Sequence, residues 1–175
     1  MASERFAEMD YSAAGPVRVL VVDDNEGYRD ALAEVVSTAE QFTLVGCADS
    51  GHEALQLVPR LDPDLVLLDV RMPGLDGPET AQRILKTQPE AVVVLVSADP
   101  DSESLPASCG AAAFLPKSTV SAKRLGEVWA ETRARAARTR HEARALREEA
   151  RAVKAQAGHQ NRRAAKNLAP ARDKP

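Results

Sequence analysis

The sequence lacks the features that mark a secreted or membrane-spanning protein. Of its 175 residues only Cys47 and Cys109 are cysteines, too few and too far apart for a disulfide framework or a zinc site. No stretch approaches the roughly 20 apolar residues that are needed to span a bilayer. The first 15 residues have no basic start followed by an apolar core, so they do not predict a signal peptide. We therefore expect a reduced, cytoplasmic protein that does not engage the membrane.

Aromatic residues are also scarce, at 3% of the chain, and the charges are unevenly distributed. Residues 1–117 contain 8 Lys/Arg and 20 Asp/Glu, whereas residues 118–175 contain 15 and 6. The basic end could contact nucleic acid through phosphates or lie on the acidic part of its own or a neighbouring chain. Because stacking aromatics and known nucleic-acid motifs are missing, nucleic acid is not the expected partner.

The middle of the chain alternates short aliphatic runs with segments of helical periodicity. The predicted strands are 17–22, 42–48, 64–69, 91–97 and 111–115. Between them, apolar residues at helical spacing predict helices at 25–39, 51–61 and 78–87. This alternation predicts an α/β fold, with a doubly wound, five-stranded parallel sheet covered by helices on both faces.

Polar residues follow the carboxyl ends of four of these strands. Asp23 and Asp24 follow the first, Asp69 ends the third, Ser97 ends the fourth and Lys117 comes after the fifth. In a parallel sheet these side chains converge on one edge. Three carboxylates ionise together more easily beside a cation, and an all-oxygen donor set suits Mg²⁺. With a lysine and a hydroxyl nearby, the set predicts a phosphoryl-transfer site in which Asp69 is the nucleophile.

At these residues the chain resembles the receiver domains of bacterial two-component response regulators. The matching stretches are "VVDDN", "LVLLDVRMPGLDG", "VSA" and "GAAAFLPK", in that order, over about residues 16–128. Each stretch is weak evidence alone, but the joint order and spacing are specific. The resemblance implies a flavodoxin-like receiver fold, followed here by a long C-terminal helix.

The resemblance also implies a metal site and a phosphoacceptor. Asp69 would accept phosphate from the phosphohistidine of a sensor histidine kinase or phosphotransfer protein. Asp24 would bind Mg²⁺ directly and Asp23 mostly through water, joined by the carboxylate of Asp69 and the backbone carbonyl of Arg71. From the residues alone, Asp23 and Asp24 could instead cap the following helix.

Two further roles follow from the same resemblance. Ser97 would hydrogen-bond the phosphoryl oxygens, and Lys117 would neutralise their charge. Phe114 matches the aromatic residue that moves inward when the hydroxyl residue shifts, which couples an electrostatic event to a bistable element. Phe114 as an ordinary core residue, and Ser97 as an ordinary strand-end hydroxyl, are the alternatives.

The segment between Ser97 and Lys117 departs from the family pattern. Three serines, together with Pro100 and Pro106, make "ADPDSESLPASCGAAAFLP" a poor helix, so we expect a short or irregular fourth helix. Arg71 and Asp99 flank the predicted site. An ion pair between them could slow the loss of phosphate, or it could be a mobile surface pair.

The C-terminal residues predict a helix and a tail rather than a DNA-binding domain. Large aliphatics are sparse there, while Ala, Arg and Glu dominate. Two seams of uncharged residues repeat every seven positions and favour either a parallel coiled-coil dimer or a lone helix. Their members are Trp129, Ala136, Ala143, Ala150 and Ala157, and Leu125, Thr132, Thr139, Leu146 and Val153.

We therefore predict four segments and one function. The segments are a flexible extension at 1–15, a receiver domain at 16–128, an Ala/Arg-rich helix at 129–157 and a disordered basic tail at 158–175. The predicted function is a non-enzymatic response regulator, whose only chemistry is its own aspartyl phosphorylation and dephosphorylation, with output through protein–protein interaction. The alternatives are a regulator whose tail binds nucleic acid and a receiver-like scaffold that is never phosphorylated.

Overall fold

The described part of the chain alternates parallel strands with helices. A computed structural model describes residues 15–136 and 138. The strands are β1 (Val17–Val22), β2 (Phe42–Ala48), β3 (Leu65–Asp69), β4 (Val92–Ser97) and β5 (Ala113–Pro116). The helices are α1 (Glu26–Ser37), α2 (Gly51–Leu61), α3 (Gly77–Thr87), α4 (Leu105–Cys109) and α5 (122–136).

These elements confirm the predicted α/β fold, and β1, β2 and α2 have the predicted bounds. Each of the first three helices begins where a side-chain oxygen accepts a backbone N–H three residues later. The capping residues are Asn25, Ser50 and Asp76. β5 begins two residues later than expected. The reason is the tight turn after α4, in which Gly110 adopts the left-handed conformation (φ 80°) before the chain becomes extended.

The five strands form one parallel sheet in the order β2-β1-β3-β4-β5. The strand order reverses at β1, so the chain crosses to opposite faces of the sheet on either side of it. Ligands of such sheets bind beyond the carboxyl ends of the strands at this reversal. The order therefore directs attention to the loops that follow β1 and β3.

Alternate residues of the buried strands point into two apolar cores, one on each face. On one face the strand side chains pack against Leu32 and Val36 of α1 and against Leu125 and Trp129 of α5. On the other face they pack against α2, α3 and the buried Cys109 of α4. Burial on both faces explains why the strands are continuous aliphatic runs rather than alternating ones.

The fourth helix is short and irregular, as the prolines and serines of this segment predict. A 3₁₀ turn at Pro100–Ser104 leads into α4, which has only five residues and ends at Gly110. Pro106 lies in the first turn of α4, where the missing N–H costs no helical hydrogen bond. The segment therefore contributes a turn and one buried cysteine rather than a full amphipathic helix.

Two compact units are separated in the sequence between Thr132 and Arg133. Leu125 and Trp129, the first positions of the two predicted seams, are buried in the core of the first unit. Of the second unit the structure describes 133–136 and 138, all helical. The later seam positions, the basic tail and most of the N-terminal extension lie outside the described residues. No helix within the described ranges is long and apolar enough to cross a bilayer.

Candidate functional site

Three carboxylates meet beyond the carboxyl ends of β1 and β3. Because Val22 of β1 pairs with Leu68 of β3, the residues that follow these partners lie side by side. One carboxylate oxygen from each of Asp23, Asp24 and Asp69 lies within 4.8 Å of the other two. Asp23 and Asp69 are buried, whereas Asp24 faces solvent. The cluster thus consists of two buried carboxylates and one exposed carboxylate.

Asp23 is held by its immediate neighbours. Its Oδ1 accepts the backbone N–H of Asn25 at 2.9 Å, and its Oδ2 accepts the Lys117 ammonium at 2.7 Å. Its backbone carbonyl accepts Arg29 Nη1 at 2.7 Å. Both carboxylate oxygens of this buried residue therefore have partners, which a buried charge requires.

Lys117 joins the two buried acids. Its Nζ lies 2.7 Å from Asp23 Oδ2 and 3.1 Å from Asp69 Oδ1. Burial acts to lower the pKa of Lys117, but the hydrogen bonds and charges of Asp23 and Asp69 outweigh it and raise the pKa. The ammonium therefore stays charged between the carboxylates.

Asp69 has the opposite balance. Burial raises the pKa of its carboxyl and the charges of Asp23 and Asp24 add to this, although Lys117 opposes the shift. Its Oδ2 also accepts the backbone N–H of Arg71 at 3.2 Å. Burial and the neighbouring acids thus disfavour the charged form of Asp69. A second cation beside the carboxylate, or a covalent bond from it to a phosphoryl group, would offset this cost.

Gly77 lies close to the backbone of Asp69. A Cβ on Gly77, the first residue of α3, would lie 2.2 Å from the carbonyl oxygen of Asp69, and the Gly77 N–H donates to the Val70 carbonyl at 3.0 Å. Only a residue without a side chain lets α3 start this close to the strand. Gly77 therefore lets α3 pack against the end of β3, where Asp69 lies, and against the first residue of the following loop.

Ser97 stands on the other side of an open cleft of about 440 Å³. Ser97 is 3% exposed, and its Oγ accepts the backbone N–H of Asp99 at 3.1 Å and lies 3.4 Å from Ser102 Oγ. The cleft is lined by Asp24, Asp69, Arg71, Ser97, Ala98, Asp99 and Lys117. It offers carboxylates, an ammonium and a hydroxyl to one small group.

Sequence comparison assigns this arrangement to a family. The family model described as the response regulator receiver domain matches residues 19–128. The chain belongs to the response regulator receiver family. The match contains Asp23, Asp24, Asp69, Ser97 and Lys117, so the cleft lies within the receiver domain.

Individual relatives agree with this assignment. The response regulator GacA of Pseudomonas aeruginosa is 38% identical over 104 residues, which cover 58% of this chain and 48% of GacA. A protein-glutamate methylesterase/protein-glutamine glutaminase of Syntrophus aciditrophicus is 35% identical over 111 residues, covering 61% of this chain and 32% of that protein. The chain therefore spans less than half of the length of these two relatives.

Solved structures give the same fold. The receiver domain of the response regulator NarL from Mycobacterium tuberculosis superposes with a TM-score of 0.62 at 33% identity, covering 68% of this chain and 98% of that one. The receiver domain of the histidine kinase CKI1 from Arabidopsis thaliana, complexed with Mg²⁺ and BeF₃⁻, superposes with a TM-score of 0.59 at 31% identity. That alignment covers 67% of this chain and 90% of the CKI1 chain.

The rim of the receiver cleft carries the ion pair expected between Arg71 and Asp99. The Arg71 guanidinium contacts the Asp99 carboxylate, and the Arg71 side chain is 72% exposed. Asp99 Oδ1 also accepts the N–H of Asp101 and so caps the 3₁₀ turn. The metal-binding role of the Arg71 carbonyl stays a prediction.

Phe114 lies apart from the cleft. It is half-buried in β5, pairs with Leu95 of β4 and packs against the core on the α2–α3–α4 face. It is absent from the residues that line the cleft. Its predicted switching role stays a prediction.

The residues that sequence reasoning missed include two whose side chains contact Lys117 and Ser97. Tyr28, in the first turn of α1, touches Lys117 through both its ring and its hydroxyl, and the buried Ser102 lies against Ser97. The only sequence signal for Tyr28 is an aromatic residue four positions after Asp24 in a chain with few aromatics. Ser102 lies in a segment that its composition marks only as irregular.

Proposed function

We propose that this chain is a phosphorylation-dependent response regulator whose phosphoacceptor is Asp69. The supporting observation is the Lys117 ammonium, within hydrogen-bond distance of both Asp23 and Asp69 at a cleft that Ser97 also lines. This set combines a nucleophile, a fixed cation and a hydroxyl donor. Those are the groups that phosphoryl transfer to a carboxylate needs.

The donor set fits a hard divalent cation. It consists of carboxylate oxygens alone, and the exposed Asp24 leaves one side of the cluster open to solvent. Oxygen ligands with room for several waters suit Mg²⁺. In this proposal Asp23, Asp24, Asp69 and the carbonyl of Arg71 hold Mg²⁺, which would offset negative charge on the phosphoryl oxygens.

The chain's own residues then have distinct tasks. A carboxylate oxygen of Asp69 forms a bond to phosphorus while the phosphorus–nitrogen bond of a phosphohistidine breaks, and the released imidazole takes a proton from water. Lys117 and Ser97 bind the transferred oxygens. Hydrolysis reverses the change at Asp69, as water attacks phosphorus and releases inorganic phosphate. The phosphohistidine comes from a sensor histidine kinase or a phosphotransfer protein.

The proposal extends to the organisation of the chain. In this proposal residues 16–128 form the receiver domain, and the helix that follows mediates output through protein–protein contacts. Because Leu125 and Trp129 are buried within their own domain, a homodimer through this helix would have to use later seam positions. Phe114 is proposed to respond to a shift of Ser97, and the protein is proposed to act in the cytoplasm.

Acetyl phosphate and Mg²⁺ test the central claim. We expect the wild type to gain about 80 Da, one phosphoryl group, by intact mass, with no gain for Asp69→Asn or without Mg²⁺. Asp101→Asn removes a nearby carboxylate that does not line the cleft and should leave the gain unchanged. Failure of the wild type to gain mass or to bind Mg²⁺ would favour the scaffold alternative.

The excess of basic residues after Ser118 supports a second candidate, in which the tail binds nucleic acid. Phosphate contacts make such binding strongly dependent on salt but not on sequence. The test is titration of random duplex DNA with the full chain at 50 and 200 mM salt. Binding that weakens steeply with salt supports this output, while no binding at low salt leaves protein–protein output.

A further inference from the structure

Tyr28 contacts Lys117 at both ends of the lysine. The Tyr28 hydroxyl donates to the backbone carbonyl of Lys117 at 3.1 Å, and the Lys117 Nζ lies 4.2 Å from the centroid of the Tyr28 ring. The backbone of Tyr28 is held in the first turn of α1, because its N–H donates to the Asn25 side chain that caps the helix. One side chain thus bonds the lysine's backbone and faces its ammonium.

Such an anchor matters because lysine is intrinsically flexible. Its ammonium is a strongly hydrated point charge on a four-carbon stem with many rotamers. Lys117 follows the last residue of β5 and begins a 3₁₀ turn of only three residues, so the sheet hydrogen bonds end just before it. The Tyr28 hydroxyl fixes this point of the backbone, and the ring covers one side of the ammonium with a π-face that favours a cation.

The phenol remains a donor throughout the neutral range. Burial raises the pKa of Tyr28 to about 12, with the charges of Asp23 and Asp69 as further causes. A phenol that keeps its proton can donate to the Lys117 carbonyl at any pH at which the receiver would work. An ordinary core role for Tyr28 would need neither this bond nor the ring's position over the ammonium.

We propose that Tyr28 is a positioning residue, which holds the Lys117 ammonium between Asp23 and Asp69 so that it is preorganised for the phosphoryl group. The inference rests on the proposed function of Lys117 in phosphoryl transfer. It also predicts an effect on metal binding, because a fixed ammonium on two of the three carboxylates repels a second cation. Releasing the ammonium should therefore weaken phosphoryl transfer while leaving Mg²⁺ binding intact or stronger.

Four variants separate positioning from packing. Tyr28→Phe removes only the hydroxyl, Tyr28→Leu removes hydroxyl and ring, and Lys117→Ala removes the group that is held. Phe42→Leu is the matched control, because it removes a buried aromatic from the core on the α1 face and lies at the first residue of β2. All are full-length chains, checked by circular dichroism before use.

The first readout is the phosphorylation rate at saturating acetyl phosphate with saturating Mg²⁺. We expect a decrease of about tenfold for Tyr28→Leu and about threefold for Tyr28→Phe, the size of a lost hydrogen bond plus a lost cation–π contact. Phe42→Leu should lower the melting temperature without lowering this rate. In the Lys117→Ala background, Tyr28→Leu should cause no further decrease. The same tenfold decrease in that background would overturn the proposal.

The second readout does not depend on phosphorylation. Calorimetric titration should give Mg²⁺ affinities for Tyr28→Leu and Lys117→Ala that equal or exceed that of the wild type. Lysine-ammonium NMR of the metal-free protein should show slow proton exchange at Lys117 that Tyr28→Phe accelerates, with the 89% exposed Lys123 as reference. Weaker Mg²⁺ binding in Tyr28→Leu, or unchanged Lys117 exchange in Tyr28→Phe, would overturn the proposal.

Different results would contradict the proposed function and the proposed role of Tyr28. A wild type that gains no phosphoryl group contradicts the proposed function, and the magnesium and NMR readouts then decide the Tyr28 proposal by themselves. A wild type that is phosphorylated, with Tyr28→Phe and Tyr28→Leu equally fast, retains the proposed function and removes the role of Tyr28. Tyr28→Phe keeps the ring and its packing, so a folding failure of Tyr28→Leu leaves the proposal testable.

Discussion

The inner side and the rim of the cleft both carry an ion pair, but the two pairs have different physical consequences. Inside, Lys117 is one-fifth exposed and binds Asp23, which is completely buried. At the rim, Arg71 is 72% exposed and meets Asp99, which is 25% exposed. A buried charge that loses its partner is costly, whereas a solvated one is not. The inner pair thus fixes the site, and the rim pair can exchange partners with little change in stability.

Breaking the inner pair should have the largest effect. Lys117→Met leaves Asp23 buried without its cation, so we expect the free energy of unfolding to fall by about 2–3 kcal/mol in metal-free buffer, less than for a fully buried pair because Lys117 is partly solvated. Urea unfolding measures this change. Lys123→Met, which removes an exposed lysine, should be neutral, and an equally small effect of Lys117→Met would show that water already reaches Asp23.

Magnesium should stabilise the domain by binding the cluster of Asp23, Asp24 and Asp69. A cation that binds only the folded state at a hundredfold excess over its Kd stabilises by about 2.7 kcal/mol. We expect thermal unfolding in Mg²⁺ to shift upward for the wild type and much less for Asp24→Asn, which reduces the charge of the open ligand. Equal shifts in both proteins would mean that Asp24 does not contribute to the metal site.

Alkaline pH should lower the free energy of unfolding through the ionisation of Tyr28, which contacts Lys117 of the inner pair. The folded-state pKa of Tyr28, about 12, lies above the ordinary tyrosine value of 10.0, so the unfolded chain loses this proton first. The contribution of the Tyr28 proton to the free energy of unfolding is therefore complete below pH 10 and is lost as the pH rises from 10 toward 12. Because Tyr28 is partly solvated, we expect an effect below about 1 kcal/mol.

The measurement for Tyr28 is the free energy of unfolding of the wild type and of Tyr28→Phe at pH 9 and pH 11. The wild type should lose more stability between these two values than the variant, which has no phenol at this position. Parallel losses would indicate that the phenol titrates normally in the folded state.

Breaking the rim pair should change stability least. Arg71→Ala should alter the free energy of unfolding by no more than about 0.5 kcal/mol. If the pair hinders attacking water, phosphorylated Arg71→Ala should lose phosphate about two- to fivefold faster, an effect of less than 1 kcal/mol on the barrier. Arg83→Ala removes an exposed Arg–Glu pair from α3 and is the matched control. Equal dephosphorylation rates in wild type and Arg71→Ala would identify the pair as an ordinary surface contact.

The elements that the sequence predicted best are those with one dominant physical signal. β1 and β2 are aliphatic runs bounded by polar residues, and α2 begins at a serine cap, so their limits needed no tertiary information. β5 was misplaced by two residues because alanines at 111 and 112 fit a strand or a turn equally well. Only the left-handed Gly110 and the pairing of Ala113 with Val94 distinguish the two.

Strand ends also made most of the cleft predictable. Parallel strands bring their carboxyl ends to one edge, so Asp23, Asp69 and Ser97 had to lie near one another once the strands were known. The sequence could not reveal the partners that come from other elements. Tyr28 and Lys117 are separated by 89 positions, and their contact depends on how α1 lies against the end of β5.

The sequence by itself determined the α/β alternation, the family and the convergence of acids on one edge, because apolar periodicity and strand direction are local properties of the chain. Tertiary structure alone decided which acid is buried, where the Lys117 ammonium rests and that Tyr28 lies beneath it. Burial and charge pairing arise between residues far apart in sequence, where local pattern carries no signal. The same reason applies to Leu125 and Trp129, which fit a heptad seam in the sequence and fill the domain core in the folded chain.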